Sequence, residues 1–166
     1  MRMFVCLGSN IEPRRNLARA LEELRHRFAV TAVSRVYRTA PVGDPDQPDF
    51  WNLAAELQCD LRPEDVQAQL REIEALLGRA RIPGRPYGPR TADLDLVLVA
   101  GLVGRFGALV LPSPLVEREA FVAVPLAELA HDLPHPVVRA TLGELAQATA
   151  AGAPRPPVPL AVELAG

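Results

Sequence analysis

Two aspartates, Asp93 and Asp95, stand two apart inside the apolar run ADLDLVLV. On a strand, side chains alternate faces with period two, so both carboxylates face the same way, close enough to share one divalent cation or hold a pair. Arg90 precedes them beside a Gly-Pro turn, and Arg79, Arg81 and Arg85 fall between Glu74 and Asp93 with no acidic residue among them. Carboxylates are hard oxygen ligands for a metal, and arginines meet phosphate oxygens through a planar fork. The combination suits a metal-bound polyphosphate. A D-x-D pair alone is equally the wet face of an antiparallel sheet. The segment GRARIPGRPYGPR, with three glycines and three prolines, tips the reading, because a merely solvated face would mix the two signs of charge.

A second group lies upstream. Phe50–Gln58 alternates as a strand, with Trp51, Leu53, Ala55 and Leu57 on its apolar face and Phe50 and Asn52 on the other. An aromatic ring beside an amide that both donates and accepts suits a flat heterocycle, and equally suits a second apolar layer with a satisfied loop contact. The loop around Thr39, Pro41, Val42 and Gly43 could read ring edges through its backbone, or simply join two strands. Gly8-Ser9-Asn10 is a turn or a substrate contact. There is no Ser-His-Asp or Cys-His arrangement, and the absence of a GxxxxGK[ST] loop and of GxGxxG argues against the common nucleotide-binding folds; His131 and His135 flank a Leu-Pro turn and read as structural.

These groups must be carried by elements. The apolar pattern predicts a strand at Met3–Leu7, a helix beginning near Pro13 with Leu17, Leu21, Leu24 and Phe28 on one stripe, and a strand at Val30–Thr39. A helix from Pro63 buries Val66, Leu70, Ile73 and Leu77 and stops at Gly78. The acidic strand follows at Leu94–Val99. A turn region at Gly101–Gly107 then closes a hairpin onto Ala108–Leu111. Ser113-Pro114 opens a third helix that Pro125 interrupts, and Thr141 with Glu144 forms a capping box for a last helix. The order is β-α-β-β-α-β, an α+β, ferredoxin-like antiparallel sheet with helices on one face and C-terminal additions. One domain over residues 1–150 is expected, with a proline- and alanine-rich tail, 151–166, loosely attached to it.

The 166 residues carry a net charge of −2, which argues against a nucleic-acid binder. All 18 basic residues are arginine, and the two cysteines, Cys6 and Cys59, are isolated in apolar runs, as expected in a reducing compartment. No stretch reads as a signal peptide or a membrane span, so a cytoplasmic protein, monomeric and without a membrane partner, is expected.

Five segments together resemble the 6-hydroxymethyl-7,8-dihydropterin pyrophosphokinase family of folate biosynthesis. They are LGSN at 7–10, SRVYRTAPVGDPDQPDFWNLA at 34–54, IEALLGRAR at 73–81, GPRTADLDLVL at 88–98 and LPSPLVEREAFVAVPLAELA at 111–130. The resemblance implies transfer of the pyrophosphoryl group of MgATP to the hydroxymethyl of a reduced pterin, with AMP released. It implies that Asp93 and Asp95 bind two magnesium ions and that Arg81, Arg85 and Arg90 stabilise the triphosphate. It places the pterin among Thr39, Pro41, Val42, Phe50, Asn52 and Phe121, and ATP near Glu74, Arg81, Arg90, Ser113 and Arg118. The loops at 8–12, 43–49 and 79–89 would be lids.

The chain departs from the family at three places. Ser113 stands where the family carries a phosphate-binding histidine, Glu119 stands where it carries an arginine, and Tyr87 replaces a tryptophan in an arginine loop that is one residue longer than in some relatives. The expectation is that a shift of one residue lets Arg118 replace the missing arginine. Two other readings remain open on sequence grounds: a ferredoxin-like module that binds an anionic metabolite without turning it over, and a related enzyme transferring a different phosphoryl group.

Overall fold

The computed structural model describes residues 1–78, 85 and 88–164. In chain order the elements are β1 (Arg2–Ser9), α1 (Pro13–Arg27), β2 (Ala29–Val33), β3 (Tyr37–Thr39), β4 (Phe50–Gln58), α2 (Pro63–Leu76), β5 (Asp93–Val99), β6 (Gly104–Phe106), β7 (Leu109–Leu111), α3 (Leu115–Arg118), α4 (Ala120–Ala130), α5 (Leu142–Gly152) and β8 (Val158–Pro159). The main sheet runs β5-β1-β4-β3-β8, with β2 also on β4. β1 is antiparallel to both central neighbours, which is the ferredoxin-like pairing the sequence order predicts.

Alternation decides the two faces. Met3, Val5 and Leu7 of β1, Leu53, Ala55 and Leu57 of β4, and Leu94 and Leu96 of β5 point to one side. There they meet Leu17, Leu21 and Leu24 of α1 and Val66, Leu70 and Ile73 of α2, the stripes read from the sequence. Truncating one of these fully buried leucines would cost about 2–5 kcal/mol. Gly78 ends α2 with φ 76°, a conformation that favours glycine. The C-terminal additions cover the opposite face, where Phe4, Ala54 and Val97 pack under Val116, Val122, Leu126 and Leu142 of α3, α4 and α5.

Four sequence expectations change. Val30–Thr39 is two strands, because at Ser34 the hydroxyl accepts from the Ala54 amide and the next amide, Arg35, turns to the Glu128 carboxylate. The region expected to be a turn, Gly101–Gly107, contains β6, which pairs with β7 in a separate two-stranded ribbon, so the segment at 108–111 is not the hairpin partner of β5. The third helix breaks at Glu119, whose backbone is extended (φ −120°, ψ 122°), and Pro125 lies inside α4 without ending it. The tail is held: β8 pairs with β3, and Leu160, Val162 and Leu164 pack against the main core. The Thr141/Glu144 capping box forms as expected. His135 is structural, its Nδ1 accepting from the amides of Val137 (3.1 Å) and Val138 (3.0 Å).

Candidate active site

Helix α4 covers only part of the second sheet face. Cβ direction alternates, so Cys6 and Gly8 of β1, Phe50 and Asn52 of β4, and Asp93 and Asp95 of β5 share that face. The register places Gly8 between Asn52 and Asp93, and Cys6 between Ala54 and Asp95. Where α4 stops covering these rows, a cavity of about 290 Å³ opens. Asp93, Asp95 and Arg90 line one part of it and Thr39, Val42, Phe50 and Asn52 another, while Phe121 and Glu119 enter from the α3–α4 junction.

The acidic part is already charge-paired. Arg90 Nη1 donates to Asp93 Oδ2 at 2.7 Å, and Arg71 Nη2 donates to Asp95 Oδ1 at 2.7 Å. Arg71 also donates to both oxygens of Glu74 and to the Leu94 carbonyl, and Glu74 Oε2 accepts the Leu94 amide at 2.9 Å. One arginine on α2 thus fixes the start of β5. Burial works against the Arg71 charge, but the bonds from Asp95 and Glu74 outweigh it and raise its pKa above the ordinary arginine value. Burial and then the charges of Asp95 and Asp93 push the Cys6 thiol well above its usual range, which keeps it protonated beside the carboxylates.

The other part is suited to a flat ring. Asn52 is nearly buried, and its Nδ2 donates to Thr39 Oγ1 at 2.7 Å. Its Oδ1 lies over Gly8, so close that a Cβ on Gly8 would be 2.4 Å from it. Phe50 and Phe121 supply partly exposed rings to the same cavity, whereas Trp51 packs against the main core, as the strand-face assignment predicts.

Asn10, 6% exposed, joins three segments around this cavity. Its Nδ2 donates to Gln47 Oε1 (2.8 Å) and the Pro48 carbonyl (3.0 Å), and its Oδ1 accepts the Arg90 amide (2.8 Å). Arg85 donates to Asp44 Oδ2 at 2.8 Å and to the Asp46 carbonyl at 2.7 Å; the Arg85 bond holds the Asp44 carboxyl below its usual pKa, burial opposing it.

The structure therefore brings Thr39, Val42, Phe50, Asn52, Arg90, Asp93, Asp95 and Phe121 together. It does not bring in all the candidates. Pro41 and Arg118 line a neighbouring cavity that shares Thr39, Ala40 and Val42 with this one. Arg118 does not line the first cavity, whereas Glu119, at the extended break between α3 and α4, lines both. The Ser113 hydroxyl accepts the Leu115 amide at 3.3 Å, at the start of α3, and Ser113 does not line the cavity. Glu74 is 3% exposed and sits behind the strand, away from the cavity lining. Arg85 is on the 43–49 loop rather than in the cavity. Arg79, Arg81 and Tyr87 lie outside the described residues, as does most of the 79–89 segment. Sequence reasoning missed Arg71, whose only signal was its i, i+3 spacing to Glu74 on α2. It read Asn10 as part of a turn or a substrate contact, without the bonds that tie it to Gln47, Pro48 and Arg90.

The antiparallel α+β sheet carries paired carboxylates and arginines beside two partly exposed rings, an arrangement able to hold a charged phosphate next to a flat group. Comparison with known proteins narrows the class. Residues 4–131 match the family model described as 7,8-dihydro-6-hydroxymethylpterin-pyrophosphokinase (HPPK). The 2-amino-4-hydroxy-6-hydroxymethyldihydropteridine pyrophosphokinase of Bacillus subtilis is 40% identical over 129 residues, 76% of this chain and 76% of that protein. The enzyme of the same name from Methylorubrum extorquens is 42% identical over 135 residues, 80% of this chain and 84% of that protein. A solved Plasmodium falciparum HPPK-DHPS structure shares the fold at TM-score 0.64 and 13% identity, over 90% of this chain and 44% of that one. The chain belongs to the HPPK family, and is thereby an ATP-dependent pyrophosphokinase.

Proposed function

We propose that this cavity carries pyrophosphate transfer from ATP to the hydroxymethyl group of 6-hydroxymethyl-7,8-dihydropterin, releasing AMP, in folate biosynthesis. The hydroxymethyl oxygen attacks the β-phosphorus, the bond from that phosphorus to the α,β-bridging oxygen breaks, and the hydroxyl proton is released. The observation that carries the reading is the meeting in one cavity of Asp93, Asp95 and Arg90 with Phe50, Asn52 and Phe121. The comparisons support the substrates through the names of the relatives.

Phe50 and Phe121 sandwich the pterin. Asn52, with one N–H on Thr39, keeps a second N–H and its carbonyl oxygen for the ring edge. The cavity is at the small end of ligand sites, so it takes the pterin and the adenosine lies toward the rim. Arg90, with Arg81 and Arg85 from the preceding segment, meets the phosphates; Ser113 lies near that side, and Glu74 serves ATP by holding Arg71 and the start of β5.

Among the described residues there is no cluster of three or more His, Cys, Asp or Glu side chains able to cage a metal. Asp93 and Asp95 still fit magnesium, which takes one or two carboxylates and completes its shell with water and substrate phosphates. Two such ions, held by this pair, would neutralise phosphate charge and clamp the transferred group. The remaining work is positioning: little covalent chemistry is asked of the protein, so a site without a nucleophilic side chain is adequate.

No described helix is long and apolar enough to cross a membrane. The test is AMP formation. AMP must appear when the protein meets MgATP and the reduced pterin together, and not with either alone; no AMP with both present refutes the reading.

A further inference from the structure

The family match ends at residue 131, yet the segment beyond α5 reaches back to the substrate wall. That wall is thin. Thr39, Ala40 and Val42 line both the active cavity and a second cavity of about 530 Å³, which Ala153, Pro154, Arg155 and Pro157 of the tail also line. A wall bordered by two cavities has little packed against it and must be held at its ends, and the tail does this twice. At β3, only three residues long, β8 pairs Val158 with Arg38 and Pro159 with Tyr37, and the Leu160 amide donates to the Val36 carbonyl at 2.8 Å. At the far end of the loop, Arg155 grips Asp49 with both guanidinium arms, Nη1 to Oδ2 at 3.1 Å and Nη2 to Oδ1 at 2.9 Å. Asp49 immediately precedes Phe50, and Phe50 pairs with Thr39 across β3 and β4.

We propose that residues 153–164 are part of the substrate site, and that Arg155 is a positioning residue which, through Asp49, fixes Phe50 and the Thr39–Val42 wall around the flat ring. Arg155 touches no substrate; it removes freedom from the loop that does. Leu160, Val162 and Leu164 anchor the tail in the main core, so the grip on Asp49 is set from a rigid base. The bidentate fork gives the contact a geometry that a lysine cannot reproduce.

The proposal rests on the pterin reading above, and the experiment separates the two. In the full-length protein, pterin affinity is read by titrating the fluorescence of 6-hydroxymethylpterin, with KM for both substrates and the melting midpoint recorded alongside. Arg155→Ala should raise the pterin Kd about three- to fivefold, the range an exposed but bidentate pair supports. ATP KM and the melting midpoint should stay unchanged. Arg155→Lys should not rescue, although Arg38 remains as a second, longer ion-pair partner of Asp49 at 3.9 Å. Leu160→Pro, which deletes the amide bonded to Val36, should weaken pterin binding in the same direction. Arg62→Ala, which breaks an exposed ion pair with Asp65 on α2, should do nothing. Unchanged pterin affinity in both Arg155→Ala and Leu160→Pro overturns the proposal, as does an equal loss for pterin and ATP with a lowered melting midpoint. A wild-type protein that binds no pterin overturns the functional reading itself.

Discussion

Gly8 offers a direct test of how the pterin edge is read. It sits in β1, paired with Asn52 on one side and Asp93 on the other, so its backbone cannot move without breaking two ladders. A Cβ there would be 2.4 Å from Asn52 Oδ1, and the atoms behind that oxygen, Asn52 Cγ at 3.5 Å and the Trp51 carbonyl at 3.8 Å, are in ordinary contact. The side chain that must yield in Gly8→Ala is therefore the Asn52 amide. Its rotation breaks the 2.7 Å bond to Thr39 and removes the amide from the ring edge. The Thr39 bond is lost in the free and the bound protein alike and so lowers stability, not affinity. The two bonds that the Asn52 amide offers the ring edge are worth about 1 kcal/mol each, so their loss costs about 2 kcal/mol, or roughly a 30-fold weaker pterin complex.

A double-mutant cycle isolates the mechanism. Pterin Kd is measured for wild type, Gly8→Ala, Asn52→Ala and the double variant, with ATP affinity as the internal control. If Gly8→Ala acts only by evicting the amide, it is neutral once Asn52 is alanine, and the double variant matches Asn52→Ala alone. Additive losses would show that the glycine serves the substrate by another route. A Gly8→Ala protein with native pterin affinity would refute the placement of Asn52.

Three further outcomes are expected. Asp93→Ala and Asp95→Ala should each leave a folded protein, since both residues are partly exposed, while lowering kcat at least about 100-fold, as for other electrostatic groups in transfer chemistry; near-native turnover in either would remove that residue from the reaction. Because Glu119, not Arg118, lines the cavity, Glu119→Gln should tighten ATP binding by about 1 kcal/mol, fivefold, and Arg118→Ala should be silent; isothermal titration decides, and the reverse pattern would restore the one-residue shift. Removing magnesium with a chelator should weaken ATP binding more than tenfold, checked by the same titration; equal affinity with and without the metal would count against Asp93 and Asp95 as its ligands.

Much of this was legible because alternation on a strand is a rigid rule. Phe50 and Asn52 against Trp51 and Leu53, and Asp93 with Asp95, were assigned to faces by counting, and the two core clusters divide their apolar neighbours the same way, with Trp51, Leu53, Leu94 and Leu96 in one and Ala54 and Val97 in the other. The helical stripes of α1 and α2 were legible for the same reason. What failed depended on tertiary partners. Pro125 looks like a breaker, yet it sits within α4, while Glu119, with no breaker signature, takes the extended backbone that ends α3. That single reversal decides which of Arg118 and Glu119 faces the cavity. The tail looked loose because proline and alanine dominate it, but every second residue from Leu160 to Leu164 is apolar and finds the core. Arg71 was invisible as a site residue because its partner Asp95 is 24 positions away.

The pairing of charges explains why the substrate of such a site should be a metal–nucleotide complex rather than either component. Without ligand, Arg90 lies on Asp93, Arg71 on Asp95 and Arg85 on Asp44, all within 2.8 Å. A bare cation arriving at Asp93 and Asp95 would take carboxylates from their arginines and leave the cationic side less compensated. A bare triphosphate would draw the arginines away and leave carboxylates facing its own negative oxygens, with Glu119 adding to the repulsion. If the two arrived together, the acids would hold the metal and the arginines would meet the phosphates. Opposite charges would then stay in contact throughout the exchange, and no partly buried charge would be left without a partner. The all-arginine composition favours that exchange. A guanidinium can leave a carboxylate for a phosphate with the same forked geometry, so the apo pairs keep the arginines in the orientation that a phosphate would need.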